Sequence, residues 1–228
     1  MDKKKQSVSL LLSRFRGWIQ AVFANIGVAE AYLNESGFDV VIANELVERR
    51  AILYSKIYPN TRMICGDITD KKVFDKIIKE SIELGVNIIM ATPPCQGMST
   101  VGQQLDDDVR NRLVCQVIEA VEEIKPEYVM IENVPAFFST IISVEDRKIL
   151  IPNLLKEKLG DKYIIHENII DTKDYSVPQT RERAIVLMTR KDKKREWIVP
   201  DKDSKIITMR DAIGNLPRLD PFITDVDE

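Results

Sequence analysis

The feature that most constrains this chain is an alternation of short apolar runs with segments of helical periodicity. Ile19 to Phe23 is a short apolar run, Val28 to Glu35 reads as a helix ending near Gly37, and Phe38 to Ala43 is a β-branched strand. A helix from Leu46 to about Ile57 follows, then a strand from Met63 to Cys65, a helix from Lys72 to Leu84 and a strand from Val86 to Met90. Leu113 to Ile124 reads as helix, Tyr128 to Ile131 as strand and Ile149 to Leu159 as helix. Tyr163 to Ile170, Ala184 to Met188 and Trp197 to Val199 complete the strands. Strands separated by helical crossovers pair in parallel. The expected architecture is a doubly wound, mostly parallel α/β sheet, with ligands beyond the carboxyl ends of the strands. The closer succession of strands from Tyr163 onward fits an antiparallel hairpin at the sheet edge.

At 228 residues, 44% hydrophobic and 30% charged, the chain suits one large globular domain. No apolar run reaches the roughly 18 residues a membrane span requires. The basic start Met1-Asp2-Lys3-Lys4-Lys5 precedes only Leu10-Leu11-Leu12, too short for a secretory core, so a cytoplasmic protein is expected. Three cysteines without paired CxxC spacing argue against a disulfide framework and against zinc. Cys65 and Cys115, among apolar neighbours, read as small core side chains. A net charge of −3 gives no sign of a nucleic-acid partner. The basic cluster Arg190 to Arg195 is read equally well as a solvated turn or as a phosphate contact.

Three segments carry chemistry. Ala91-Thr92-Pro93-Pro94-Cys95-Gln96-Gly97-Met98-Ser99 sets a cysteine on a Pro-stiffened loop straight after an apolar strand. Tyr128-Val129-Met130-Ile131 ends in Glu132-Asn133-Val134-Pro135, and Val177-Pro178-Gln179-Thr180-Arg181-Glu182-Arg183 follows later. A thiol nucleophile, a carboxylate and an arginine pair at strand ends are what attack on a pyrimidine ring requires. In this order and with these neighbours, the segments resemble the DNA (cytosine-5) methyltransferase family, from roughly Val22 through Leu216. The resemblance implies a Rossmann-like fold dependent on S-adenosylmethionine, acting on double-stranded DNA without a metal, and by family association a restriction–modification system. It also implies one catalytic domain over residues 1–228, with a cofactor half at about 19–90, a catalytic half at about 91–190 and an extension at 191–228.

The first strand leads into Val22-Phe23-Ala24-Asn25-Ile26-Gly27-Val28-Ala29, a turn where one glycine lets the backbone approach a ligand and a helix N-terminus offers N–H donors. The family pattern is Phe-x-Gly-x-Gly, so Asn25 replaces its first glycine and Val28 stands where a further one is often seen. Asn is the least costly substitute at positive φ. Glu45 and Asp67 end successive strands; each alone is an ordinary cap or surface acid, but together they are expected to line one crevice, at ribose hydroxyls and at an adenine amino group. The resemblance places Phe23, Asn25, Ile26, Gly27, Glu45, Leu46, Asp67, Ile68, Pro93 and Leu113 around the cofactor. An NAD-type ligand is disfavoured by the lack of GxGxxG.

Carbon C5 of cytosine is not nucleophilic until a thiolate adds at C6, and a cysteine whose pKa is tunable downward suits that step. Cys95 is the expected nucleophile, with Arg181 the cation near it. Glu132, after a wholly apolar strand, would share a proton with N3 and accept from N4. Arg183 would hold the pyrimidine O2, and Gln179 would orient its loop. Gln96, Ser99 and Asn133 complete the substrate contacts, with Asn133 shaping its loop and Ser99 reaching the phosphate backbone. No general base is evident for the C5 proton, so water is the expected acceptor. The polar stretch from Pro93 to about Arg112, with Gln103-Gln104-Leu105-Asp106-Asp107-Asp108, is expected to act as a lid over a flipped base. His166 lies mid-strand and reads as a core or edge side chain.

A complete family member continues into a target-recognition domain, a further helix and a last cofactor segment. The chain is therefore expected to be a catalytic portion, either a fragment or one subunit of a split enzyme whose partner reads the target. Alternatives are a tRNA cytosine-5 methyltransferase, a catalytically silent partner and, more remotely, a thiol hydrolase, which would need a histidine beside Cys95.

Overall fold

The computed structural model describes residues 17–94 and 112–217. The parallel strands are β1 (Gly17–Val22), β2 (Phe38–Glu45), β3 (Arg62–Cys65), β4 (Ile88–Ala91) and β5 (Tyr128–Asn133). A separate hairpin is formed by β6 (Ile141–Val144) and β7 (Arg147–Leu150), and β8 (Tyr163–Asp171) and β9 (Glu182–Arg190) return to the main sheet. The helices are α1 (Glu48–Ile57), α2 (Lys71–Glu83), α3 (Leu113–Ile124), α4 (Ile151–Leu159) and α5 (Met209–Ile213). Seven strands make one sheet in the order β3-β2-β1-β4-β5-β9-β8, with β9 antiparallel to both neighbours. The order reverses around β1, the switch point where a doubly wound sheet opens a crevice. The expected doubly wound sheet with an antiparallel pair at its edge is what forms.

Side-chain alternation divides the core between the two faces. Val22, Ile42, Ile89, Val129, Ile131 and Val186 point to the face where Phe74 and Ile77 of α2, Val117 and Val121 of α3, and Leu154 and Leu155 of α4 complete the main core. The opposite face holds smaller clusters, Ala21 and Ala43 against Tyr54 of α1, and Ile19, Ile88 and Met90 beside Leu33 and Trp197. Helix α2 shows why these residues form a helix there. Phe74, Ile77, Ile78 and Ser81 are buried at helical spacing, and the Asp70 side chain caps the first turn by accepting from the Lys72 N–H at 2.7 Å and the Val73 N–H at 3.3 Å.

Four local expectations change, and the simplest is Cys65, which is exposed at the end of β3 rather than a core side chain. The stretch from Val28 to Glu35 forms successive tight turns and a short 3-10 segment at Asn34–Ser36 rather than an α-helix. Val28 and Tyr32 are each 75% exposed, so no continuous apolar stripe anchors a helix to the sheet. Trp197 to Val199 adds no strand, because β9 is already paired on both edges. Trp197 instead donates its N–H to the Thr189 hydroxyl at 2.7 Å and stands edge-on to Tyr128 at 6.0 Å. Finally, the helix expected from Ile149 begins at Ile151, with Pro152 in its first turn, because the residues before it pair as the β6–β7 hairpin.

Candidate active site

The turn after β1 carries three left-handed residues in five: Phe23 (φ 62°), Asn25 (φ 52°) and Gly27 (φ 81°). Such a backbone persists only where its surroundings fix it. The Ala24 N–H donates to the Asn44 carbonyl at 2.9 Å, the Asn25 N–H to Glu45 Oε2 at 2.9 Å, and the Thr92 hydroxyl to the Phe23 carbonyl at 3.1 Å. Glu45 is only 5% exposed; its second oxygen accepts from the Val47 N–H at 2.9 Å and lies 3.6 Å from Arg50. The carboxylate thus braces the turn against the start of α1 while facing the crevice.

The ends of β1, β2, β3 and β4 enclose a cavity of about 510 Å³. Of the cofactor residues expected from sequence, Phe23, Asn25, Glu45, Leu46, Asp67, Ile68 and Leu113 line it. Ile26 and Gly27 are not part of the lining, and Pro93 falls between two residues that are, Thr92 and Pro94. Asp67 Oδ1 accepts from both the N–H and the hydroxyl of Thr69, at 2.9 and 2.8 Å. Asn44, Arg50 and Gly66 join the lining without having been singled out in the sequence. Asn44 Nδ2 donates to the carbonyls of Ile64 at 2.9 Å and Gly66 at 3.1 Å, fixing the ends of β2 and β3.

Because β9 runs antiparallel to β5, its first residues stand at the carboxyl end of the parallel strands. Glu132 of β5 and Arg183 of β9 meet there, Nε to Oε1 at 2.8 Å, with side chains 32% and 17% exposed. Asn133 is buried beside them. Its Nδ2 donates to the Pro93 carbonyl at 3.0 Å and its Oδ1 accepts from the Val134 N–H at 2.8 Å. Both ends of this amide serve the backbone, so it ties the end of β5 to the loop that leads to Cys95. Cys95, Gln96 and Ser99, with the stretch expected to form a lid, lie outside the described residues.

The Gln179–Arg181 segment is held by the end of β8. Asp171 Oδ1 accepts from the Arg181 N–H at 3.0 Å, the Thr172 hydroxyl donates to the Gln179 carbonyl at 2.6 Å, and the Thr172 N–H donates to the Arg181 carbonyl at 3.1 Å. Lys173 pairs with Asp171 and holds its carboxyl below the usual range. The Gln179 and Arg181 side chains are exposed. The basic cluster from Arg190 lies at the other end of β9, away from the crevice, where Arg190 pairs with Asp192 at 2.7 Å and Lys193 with Glu127 at 2.8 Å. His166 pairs with Glu196 at 3.0 Å on the edge strand β8, two strands from Glu132. Among the described residues no group of three or more His, Cys, Asp and Glu could hold a metal ion, and no helix is long and apolar enough to cross a membrane.

A doubly wound sheet thus opens a crevice at its switch point, and an acid–arginine pair stands one strand away. Residues 19–224 match the model of the C-5 cytosine-specific DNA methylases, and the chain belongs to that family. It is 38% identical over 205 residues to the Type II methyltransferase M1.HgaI of Avibacterium volantium, covering 88% of this chain and 57% of that protein. It is 26% identical over 206 residues to the Type II methyltransferase M.XorII of Xanthomonas oryzae pv. oryzae, covering 88% and 46%. The fold is shared with a prophage-encoded DNA modification methyltransferase from E. coli, at TM-score 0.70 and 23% identity over 89% of this chain and 56% of that one. It is also shared with Spodoptera frugiperda DNMT2, at TM-score 0.60 and 23% identity over 84% and 54%. The chain spans about half the length of the relatives it matches. The family's methyl donor is S-adenosylmethionine, and the cavity suits it: the volume falls within the range of small-ligand sites, the carboxylates of Glu45 and Asp67 stand in its lining, and Phe23, Leu46 and Ile68 offer apolar walls.

Proposed function

We propose that this chain transfers a methyl group from S-adenosylmethionine to C5 of cytosine in DNA, through a covalent bond between Cys95 and C6. The observation that carries the reading is the Glu132–Arg183 pair at 2.8 Å, set beside Pro93 through Asn133. That arrangement supports bringing a carboxyl group and the loop of the thiol to one ring.

S-adenosylmethionine, when bound, supplies an electrophilic methyl group and leaves as a neutral thioether. The target base must leave the duplex stack to reach these groups. The Cys95 thiolate forms a bond to C6, the C5–C6 π pair moves to C5–C4, and the C4–N3 pair moves to N3. There the Glu132 carboxyl shares a proton, while its other oxygen accepts from the N4 amino group. Arg183 fixes the orientation of Glu132 by its Nε and faces the O2 side of the ring. C5, now enamine-like, bonds to the methyl carbon. Loss of the C5 proton to water, expulsion of the Cys95 thiolate and return of the N3 proton to Glu132 restore the aromatic ring. The exposed Arg181 favours the thiolate form of Cys95 by its charge.

Target recognition belongs, in this reading, outside these 228 residues, in a second polypeptide or in further chain of the same protein. The support is the net charge of −3, which gives these 228 residues no net attraction for the phosphate backbone.

The test is trapping on duplex oligonucleotides that carry 5-fluorocytosine, with S-adenosylmethionine, using the chain with and without a candidate target-recognition partner. Fluorine at C5 blocks release, so the expected result is a denaturant-resistant adduct that requires the partner and disappears in Cys95→Ser. Robust turnover by the chain alone would overturn the split arrangement. An adduct on tRNA but not on duplex DNA would overturn the substrate.

A further inference from the structure

The cofactor turn departs from its family pattern where glycine would be cheapest, and the structure holds it from behind by a device outside that pattern. The Tyr58 hydroxyl donates to the Gly27 carbonyl, and the Tyr58 and Tyr54 rings lie 4.8 Å apart behind the turn. A Cβ on Gly27 would stand 2.2 Å from Tyr58 Cε2 and 2.9 Å from Tyr54 Cε2, so backbone and rings are in full contact. Tyr58 closes the C-terminal end of α1, its N–H bonded to the Tyr54 carbonyl at 2.8 Å. At the other end of the same helix, Glu45 joins the Asn25 N–H to the Val47 N–H. One short turn is therefore bound to both ends of one helix.

We propose that Tyr58 is a positioning residue for the cofactor, holding the Phe23–Gly27 turn in its left-handed course where Asn25 replaces the family's glycine. The inference rests on the reading that the cavity beyond this turn takes S-adenosylmethionine. Two non-glycine residues at positive φ, Phe23 and Asn25, are each disfavoured relative to ordinary backbone. A turn carrying that cost relaxes unless it is tied, and Tyr58 ties its last peptide from the side away from the cavity. The cofactor then meets Phe23 and Asn25 already in place and spends none of its binding energy on ordering them.

The test uses Tyr58→Phe, which keeps the ring and removes only the hydroxyl. Calorimetric titration with S-adenosylmethionine is expected to show affinity about three- to tenfold weaker, the worth of one hydrogen bond. Amide hydrogen exchange of the cofactor-free chain is expected to speed up over Asn25–Glu30 while the amides of β4 and β5 keep their wild-type rates. In an Asn25→Gly background, where the left-handed cost is relieved, the loss from Tyr58→Phe is expected to shrink. A Tyr58→Phe protein with lowered melting temperature but unchanged affinity would show a merely structural hydroxyl and overturn the inference. If wild type binds S-adenosylmethionine and the variant matches it, only this inference falls; if wild type does not bind, the cofactor reading falls and takes it along.

Discussion

The crevice at the switch point and the proposed catalytic end of the sheet are neighbours held by opposite means. The crevice is shaped by backbone: left-handed residues tied to Asn44, Glu45, Thr92 and Tyr58, with Glu45 only 5% exposed. The catalytic end is shaped by charged side chains near solvent, Glu132 against Arg183 and Asp171 against Lys173, on strands whose pairing does not depend on them. A buried polar contact that is broken costs stability, because its partner keeps the desolvation penalty; an exposed one is replaced by water. The two regions should therefore fail differently, one by loosening the fold and the other by losing chemistry on an intact fold.

The largest effect tests the catalytic side. Glu132→Gln keeps shape and removes both the charge and the shared proton, so methyl transfer is expected to fall about 10²- to 10⁴-fold. Stability should change by less than about 1 kcal/mol, since a partly exposed pair contributes little to folding. Single-turnover methyl incorporation and urea unfolding, measured on the same preparation, check both halves. A variant that unfolds as readily as it loses activity would break the contrast.

A smaller effect sharpens the crevice side. Glu30, behind the turn, is 7% exposed, with Oε2 lacking a hydrogen-bond partner among the described residues. Burial pushes its carboxyl from its ordinary 4.5 up to about 7. It also pushes up the phenols of Tyr54 and Tyr58, with the charge of Glu30 adding to the rise. Between those two pH values the folded chain binds more protons at Glu30 than the unfolded chain does. Stability from this group is therefore complete on the acid side and falls as pH rises through the window, by about 3 kcal/mol at full ionisation. Wild type should lose stability relative to Glu30→Gln between pH 5 and pH 8, as read by urea midpoints. A difference that is flat in pH would mean that Glu30 ionises as freely folded as unfolded.

Most of the sheet was legible because its strands are buried on both faces and read as continuous apolar runs between helices with clean stripes, as in Ile88–Ala91 and Leu113–Ile124. The β6–β7 hairpin was not, because its turn uses Glu145 and Asp146 at positive φ instead of the glycine or asparagine that marks such turns. The false helix at Val28–Glu35 has acceptable spacing but no surface to bury against. Within the site, Glu132, Arg183 and the crevice acids were visible as strand-end charges with unusual neighbours. Tyr58 and Asn44 were not, because their work is done across 31 residues and across two strands, on backbone atoms that carry no sequence signal. Asp171 was hidden for the same reason, as one more acid at the end of a strand.

Asp171 also supplies the smallest effect, on the border between the two regimes. It is a charged residue on the catalytic side, yet its Oδ1 holds backbone, the Arg181 N–H at 3.0 Å. If the charge mattered most, replacing Asp by Asn would be as harmful as replacing it by Ala. If the backbone contact matters most, Asn retains the acceptor and Ala does not. The geometry favours the second case, because Thr172 grips the same segment at the Gln179 and Arg181 carbonyls and leaves the Arg181 N–H to Asp171 alone among the described residues. Asp171→Ala is therefore expected to slow methyl transfer about three- to tenfold, through a mispositioned Arg181, while Asp171→Asn stays close to wild type. The pH profile adds a discriminating readout. An Arg181 that has drifted from the thiol would move the alkaline shift of Cys95 alkylation in Asp171→Ala and leave it unmoved in Asp171→Asn. Equal rates for the two variants would place the role of Asp171 in its pairing with Lys173 instead.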